Sequence, residues 1–387
     1  MQNISYSPPR PDEIAEMDRM LEQALIFSVG SMAEWTQAIG HEHMRVIREH
    51  DRVIAGIGVI PFGHWFGGRV VAAGGVTAVG VAPDRRGSGV GLMMLRHMLA
   101  EQHKLGVPIS TLYPATTNFY RRAGYERAAQ RLIYEIPLHA IGLRDYRLAA
   151  DPHDPADIEP LRAIYNQRAA CSASFIDRPD MLWKRIHAPS HKPGYTFVVR
   201  RNGTPEGYIN FLHASWGEPL VVRDSIALTP AAGRRLLTIL ADHRSMLEKV
   251  RIPGGPHDPL CFLIPEQTPK VFSSLDLMLR IVDLPAALAA RGYPEDLSGE
   301  LHLEVTDDLL PWNNGRFVLQ IANGTGRVEP GGTGGMQVHI RDLAALYSGY
   351  YTPDELRFAG SIQSDAASLA AARPIFAGPR PWLQDMF

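Results

Sequence analysis

The segment "VTAVGVAPDRRGSGVGLMMLRHMLA", residues 76–100, leaves this chain few folds to choose from. Val76 to Ala82 is a run of small and β-branched residues closed by Pro83, the pattern of a buried strand. From Val90 onward, Leu92, Leu95, Met98 and Leu99 recur at helical spacing, and the pattern stops near Gly106. Between strand and helix, Arg85-Arg86-Gly87-Ser88-Gly89-Val90-Gly91 is a turn with almost no side chains. Such a turn lets backbone N–H groups approach a ligand, with a helix N-terminus behind them. The expected ligand is an anion, and a phosphate fits best.

Two familiar phosphate turns do not match. A P-loop needs four residues between its glycines, then Gly-Lys-Ser/Thr, and neither is here. A dinucleotide fingerprint needs Gly-x-Gly-x-x-Gly, whereas Gly87, Gly89 and Gly91 alternate. Bulk partners are also restricted. A formal net charge of −2 gives no reason to expect nucleic acid or an anionic membrane surface. No apolar stretch approaches membrane-spanning length, and the opening Met-Gln-Asn-Ile-Ser carries no export pattern. Cys171 and Cys261 alone form no disulfide framework and fit a reducing compartment, so the expected location is cytoplasmic.

A chain of 387 residues has room for two or three cores. Region 1–148 alternates strands and helices and predicts an α/β domain. Its helix at 12–26 puts Ile14, Met17, Met20, Leu21, Leu25 and Ile26 on one face. "MRVIREHDRVIAGIGVIPF" predicts two strands joined near His50-Asp51, and "ISTLYP", "TNFYRRAGY" and "RLIYEIPL" predict strand, helical turn, strand. The Pro/Asp-rich "RLAADPHDPADIEP" reads as a linker into a second region, 149–276. There "YTFVVRRNGTPEGYINFLHA" and "VVRDSIALTPAAGRRLLTILADH" repeat the order of the first region. The repeated turn, Ala231-Ala232-Gly233-Arg234, has one glycine, so the copy is expected to have lost the ligand. Region 277–387, with strands "LHLEVTD" and "GRFVLQIA", glycine-rich "EPGGTGG" and helix "RDLAALYSGY", predicts an α+β domain.

Other candidates carry less. His41-Glu42-His43 lacks the spacing that puts two imidazoles on one helical face, no Cys/His cluster has ligand spacing, and no metal is expected. No Gly-x-Ser-x-Gly elbow points to a serine hydrolase. The acids Asp12, Glu13, Glu16, Asp18 and Glu22 read as a solvated helix face. Trp35, Trp65 and Phe66 fit a cleft wall or the core equally well. The ending "RPWLQDMF" is apolar where a tail is usually polar, which predicts a packed terminus with its α-carboxylate partly out of water.

Arg86-Gly87-Ser88-Gly89-Val90-Gly91, in its strand–helix context, resembles the pyrophosphate turn of the GCN5-related N-acetyltransferases (Arg/Gln-x-x-Gly-x-Gly/Ala). Tyr120, Gly124 and Tyr125 resemble the Tyr-x-x-x-Gly-Phe/Tyr part of that family's helix–turn, with Asn118 one residue closer to the tyrosine than the family's Asn-x-x-Tyr spacing. Over the whole chain, "VTAVGVAPDRR", "YRRAGY" and "LRIVDLPAALAARGY" resemble the Eis (enhanced intracellular survival) group. That resemblance implies tandem acetyltransferase-like domains of mixed α/β sheets, the second degenerate, followed by a sterol-carrier-like α+β domain.

It also implies acetyl-CoA as co-substrate, bound by backbone groups of Val79, Gly80 and Val81, by Arg86, Gly87, Ser88, Gly89, Val90, Gly91 and Leu92, and by Thr116 and Asn118. Arg85 or Arg86 would add charge. Tyr120 would serve as general acid and the Phe387 carboxylate as general base. The acceptor implied is a small cationic amine, aminoglycoside- or polyamine-like, or a lysine side chain. The assembly implied is a closed homo-oligomer, a hexamer. The rival reading is a non-catalytic lipid-binding or scaffold protein acting through the third region. One departure bears on the acceptor: Met386 stands where the group's best-known members carry an acid that helps hold cationic substrates.

Overall fold

The computed structural model describes residues 4–154, 156–187, 194–213 and 217–387. Of the residues read above, Met1 to Asn3, Pro155 and Ala214 lie outside these. The first unit contains β1 (Ile4–Ser7), β2 (Met44–Glu49), β3 (Arg52–Phe66), β4 (Arg69–Val81), β5 (Ile109–Leu112) and β6 (Glu126–Pro137). Its helices are α1 (Ile14–Leu25), α2 (Ser31–Ile39), α3 (Val90–Lys104) and α4 (Thr117–Arg121). The second unit adds β7 (Ala149–His153), β8 (Ile176–Asp177), β9 (Tyr195–Arg201), β10 (Thr204–Leu212), β11 (Leu220–Ala227) and β12 (Lys249–Gly254). With them come α5 (Glu159–Ala170), α6 (Asp180–His187), α7 (Pro230–Ala241) and α8 (Pro259–Phe262). The last stretch supplies β13 (Lys270–Ile281), β14 (Gly299–Thr306), β15 (Gly315–Ala322), β16 (Thr325–Pro330), β17 (Met336–His339) and β18 (Ile362–Ser364). Its helices are α9 (Leu284–Ala290), α10 (Ile340–Ser348), α11 (Pro353–Phe358) and α12 (Ala366–Ile375).

One 13-stranded sheet runs through the first two units in the order β1-β2-β3-β4-β5-β13-β6-β12-β11-β10-β9-β7, with β8 on β3. Strand β13 lies between β5 and β6, antiparallel to both. It therefore runs unbroken through residues 276 and 277, where the second region was expected to end. The stretch read as a linker holds a strand instead: β7 pairs with β9 from Ala149↔Arg200 to His153↔Thr196. Pro152 is tolerated there because β7 is the sheet's edge, where a missing N–H breaks no ladder on the open side. A separate five-stranded sheet, β16-β15-β14-β17-β18, forms the third unit.

The third unit is fixed to the first by a shared core. Leu301, Leu319 and Tyr347 pack in one cluster with Phe66, Val71 and Leu279 of the large sheet. At its edge, fully buried Arg280 of β13 meets Asp307 at 2.6 Å. Breaking such a buried pair by removing one partner costs about 3–5 kcal/mol, because the remaining charge is stranded.

Of the five acids read as a solvated face, Asp12 is exposed but three are buried. Ile26, expected on the apolar face, is 92 % exposed because it leaves the helix at φ +61. Glu13 is buried and receives Arg48 Nε at 2.6 Å. Buried Asp18 accepts from Thr36, and buried Glu22 accepts the amides of Gly30 and Met32. Their partners come from β2, α2 and the loop before α2, so each acid ties α1 to a neighbour.

Candidate active site

The site begins with a strand that loses its partner. Strands β4 and β5 pair in parallel from Ala73↔Ile109 to Val76↔Leu112, and there the pairing stops while β4 runs on to Val81. On the other side of β4 the register against β3 slips between Gly56 and Gly58, so Ala78 and Val79 together face Ile57. Ala78 takes φ +50, a left-handed conformation that a non-glycine residue holds only under local constraint. This bulge turns β4 away from β5. A cleft of about 420 Å³ opens between them, with Val76 to Val79 on one wall and Tyr113 and Ala115 on the other.

Beyond β4 the glycine turn has two kinds of glycine. Gly87 (φ +80) and Gly89 (φ +89) require a left-handed backbone, and nothing stands within 4 Å of where a Cβ would be. Gly91 is helical, and a Cβ there would press on Phe119 at 3.0 Å. Two glycines therefore shape the cradle and the third lets α4 pack on α3. Gly89 is the N-cap of α3 and no side chain caps it, so the first N–H groups of the helix, on Val90, Gly91 and Leu92, face outward without an intrahelical acceptor. An anion completes such a terminus.

The arginines divide the labour unequally. Arg85 is spent on Glu49, with Nη2 at 2.6 Å, and on Asp84. Arg86 is exposed and donates only to the Ala24 carbonyl at 2.8 Å, so its charge is not cancelled. Ser88 is exposed and its hydroxyl donates to Arg85 O at 2.7 Å. Thr116 and Asn118 are exposed at the start of α4, apart from the residues that line the cleft.

Tyr120 of α4 lines the cleft and is only 6 % exposed, packed edge-on against Phe119. Burial pushes its phenol up to about 12. Facing it is the C-terminal tail, pinned almost residue by residue. The amide of Gln130 donates to Pro381 O at 3.3 Å, and that of Leu383 to Gln130 O at 3.2 Å. Arg131 Nε holds Gln384 O at 2.9 Å, Tyr113 Oη holds Asp385 O at 2.6 Å, and Arg185 holds Met386 O at 3.1 Å. The Asp385 carboxylate lies in a buried cluster, 2.8 Å from Arg178 Nε and 3.1 Å from Tyr165 Oη. Arg178 also forks onto Asp224 at 2.6 and 3.2 Å. Burial raises the Asp385 carboxyl against the pull of Arg178.

The terminal ring sits edge-on to Phe62, 4.9 Å between centroids. A Cβ at Gly75 would overlap Phe62 and crowd the Phe387 ring, so glycine there makes room for both. Thus Phe387, 8 % exposed, lines the same cleft as Tyr120. The tail is packed, as expected, but between the first two units. Trp35 lines the cleft; Phe66 belongs to the core and Trp65 packs against the second unit's cluster. Tyr113, Arg131, Arg178, Arg185 and Asp385 were not singled out by the sequence. The one local signal was an acid, Asp385, in an otherwise apolar tail.

Among the described residues no group of three or more His, Cys, Asp or Glu is placed to hold a metal. Nor is any of their helices long and apolar enough to cross a membrane.

A split parallel strand pair, a bulge and an uncapped glycine turn together define an acyl-CoA-type transferase domain. Residues 5–128 match the acetyltransferase (GNAT) domain, 174–281 match a second acetyltransferase (GNAT) domain, and 284–384 match the sterol carrier protein domain. The chain is 30% identical over 350 residues to an uncharacterized N-acetyltransferase of Streptomyces griseus, covering 83% of each. It is 29% identical over 325 residues to N-acetyltransferase Eis of Mycobacterium tuberculosis, covering 78% of this chain and 76% of that one. The crystal structure of a GCN5-related N-acetyltransferase from Anabaena variabilis superposes over both whole chains with a TM-score of 0.96 at 36% identity. The chain belongs to the Eis-type GCN5-related N-acetyltransferases and is an acetyltransferase.

Proposed function

We propose that this chain transfers an acetyl group from acetyl-CoA to a primary amine in the cleft between β4 and β5. The observation that carries the reading is the pinned tail, which brings Phe387 into the cleft that Tyr120 lines. Acetyl-CoA, when bound, supplies an activated thioester. The amides of Gly87 to Leu92 and the charge of Arg86 would hold its pyrophosphate. Thr116 and Asn118 would edge the same path. Backbone groups of Val79, Gly80 and Val81, freed from β5, would align the arm and polarise the carbonyl.

An ammonium has no lone pair, so it must lose a proton before the N–C bond forms. The Phe387 carboxylate takes it. The reference values, about 10.4 for the ammonium and about 3.5 for the carboxyl, are far apart. Entry of the ammonium into an apolar cleft beside Arg185 lowers its pKa and narrows that gap. As the C–S bond breaks, negative charge gathers on sulfur and Tyr120 faces it. At about 12 the phenol keeps its proton throughout the neutral range, so the donor is always loaded. Full transfer to a thiolate of pKa about 8.5 is uphill by more than three units. Tyr120 therefore acts first as a hydrogen-bond donor to the developing charge and completes protonation as product leaves.

Acetyl-CoA turnover against an amine panel, with mass spectrometry locating the acetyl group, tests the reading. Free CoA without an acetylated amine would reject it. We also propose a symmetric homo-oligomer, a hexamer, supported by the exposed Phe262, Phe272 and Phe358. Sedimentation of a monomer would reject it.

A further inference from the structure

We propose that the acceptor is a monoamine carried on an aromatic or branched apolar body, and that polycations are poor substrates. This rests on the acetyl-transfer reading above and narrows it. The side of the cleft formed by α2 and the tail is mostly apolar or aromatic, with Phe27, Met32, Trp35, Met386 and Phe387 on it and Ser31 its polar member. Among the described lining residues the one charged side chain is Arg185, and its sign is positive. Its guanidinium stacks on Trp35, 4.3 Å from the ring centroid, and donates to Met386 O, so it is fixed at the wall. Of the acids nearest by sequence, Glu34 beside Trp35 is not on the lining, Asp385 beside Met386 is held by Arg178 and Tyr165, and Glu22 accepts the amides of Gly30 and Met32.

A polyamine or aminoglycoside entering this space gives up water around several ammonium groups. For its several charges it finds a single carboxylate, the α-carboxylate of Phe387 proposed as base, and it meets a guanidinium. A monoamine brings one ammonium, which loses its charge in the reaction. The rest of such a molecule buries apolar surface against Trp35 and Phe27. The rim continues the pattern, since Ile26 and Val29, in the loop between α1 and α2, are 92 % and 95 % exposed. An apolar lip leads into an apolar cleft.

The test is kcat/KM of the full chain for 2-phenylethylamine and tryptamine against spermidine and kanamycin, at one pH and salt concentration. The expected result is a preference of at least tenfold for the aromatic monoamines. Arg185→Glu should move the spermidine-to-tryptamine ratio at least tenfold toward spermidine, while Arg185→Lys leaves the ratio within about twofold. Using a ratio removes any general loss from a disturbed tail. Wild-type protein that prefers spermidine or kanamycin overturns the inference and leaves acetyl transfer standing. Calorimetric binding of CoA with no amine of either class acetylated defeats the acetyl-transfer reading, and the inference falls with it.

Discussion

The chain holds the same strand–turn–helix twice, and the two copies differ at the helix's first turn. In both, a strand with a register slip runs parallel to a short neighbour and leads into a helix: β4 to α3, and β11 to α7. In the first copy Gly89 caps α3 without a side chain, and the amides behind it are free for a ligand. In the second, Thr229 caps α7 with its own hydroxyl, which accepts the Ala232 amide at 3.1 Å. Pro230 has no N–H to offer. Gly233 is inside the helix, where a Cβ would collide with Leu263 at 2.9 Å. The second copy still keeps a cleft, of about 670 Å³, with Trp382 on its wall. At this turn a protein-supplied cap, a proline and a glycine-poor backbone stand where the first copy has open amides, without closing the space around them. The tail marks the same difference: its Trp382 side chain reaches the second cleft, and only its last residues enter the first.

The largest test of that contrast is the chain's end. Adding a few glycines after Phe387 keeps every native side chain but replaces the α-carboxylate with an amide. Turnover should fall by about 10²–10⁴-fold, the range for losing a positioned base, with CoA affinity nearly unchanged. Wild-type turnover in the extended protein would show that the tail only packs. Tyr120→Phe comes next, with a loss of about 10²-fold. Its pH dependence is specific. Burial raises this phenol to about 12, so the donor form persists until pH rises toward that value. The ratio of wild-type to variant rates should therefore stay flat between about pH 7 and 10. A ratio that collapses with a midpoint near 10 would mean that the phenol is solvated.

A third test acts on the two turns directly. Gly89→Asp puts a side chain and a negative charge into the first cradle, at a φ that glycine tolerates best. CoA affinity should drop at least tenfold, or about 1.4 kcal/mol, by calorimetry. Ala231→Asp, in the first turn of α7, should leave it unchanged. Equal effects would erase the distinction between the copies.

What could be read in advance follows the range of the interactions involved. The first turn was legible because its glycines answer to backbone conformation, a local property. Tyr120 was legible because a short spacing on α4 carries it. The edge strand β7 was not, since Pro152 looks like a linker residue until the sheet's open side is known. The acids of α1 looked solvated because Arg48 and Thr36, which bury them, stand 35 and 18 residues away. Most remote of all is the tail's anchorage. Arg178 and Asp224 belong to the second unit and Asp385 to the end of the third, and no spacing announces their meeting.

The smallest effect expected is at Thr229. Thr229→Ala removes the hydroxyl that caps α7 and that also donates to Glu206 at 2.6 Å. Losing an N-cap of this kind costs about 1 kcal/mol, visible as a lower denaturant midpoint with an unchanged slope. The functional consequence should be nil. With the cap gone, the Ala232 amide is released, but Pro230 still contributes no donor and no glycine opens the backbone to a pyrophosphate. Calorimetry should still count one CoA per chain, held by the first unit. If Thr229→Ala instead raised the count toward two, the hydroxyl alone would have been masking a second site. The repeat would then be a blocked copy of the first and not a lost one.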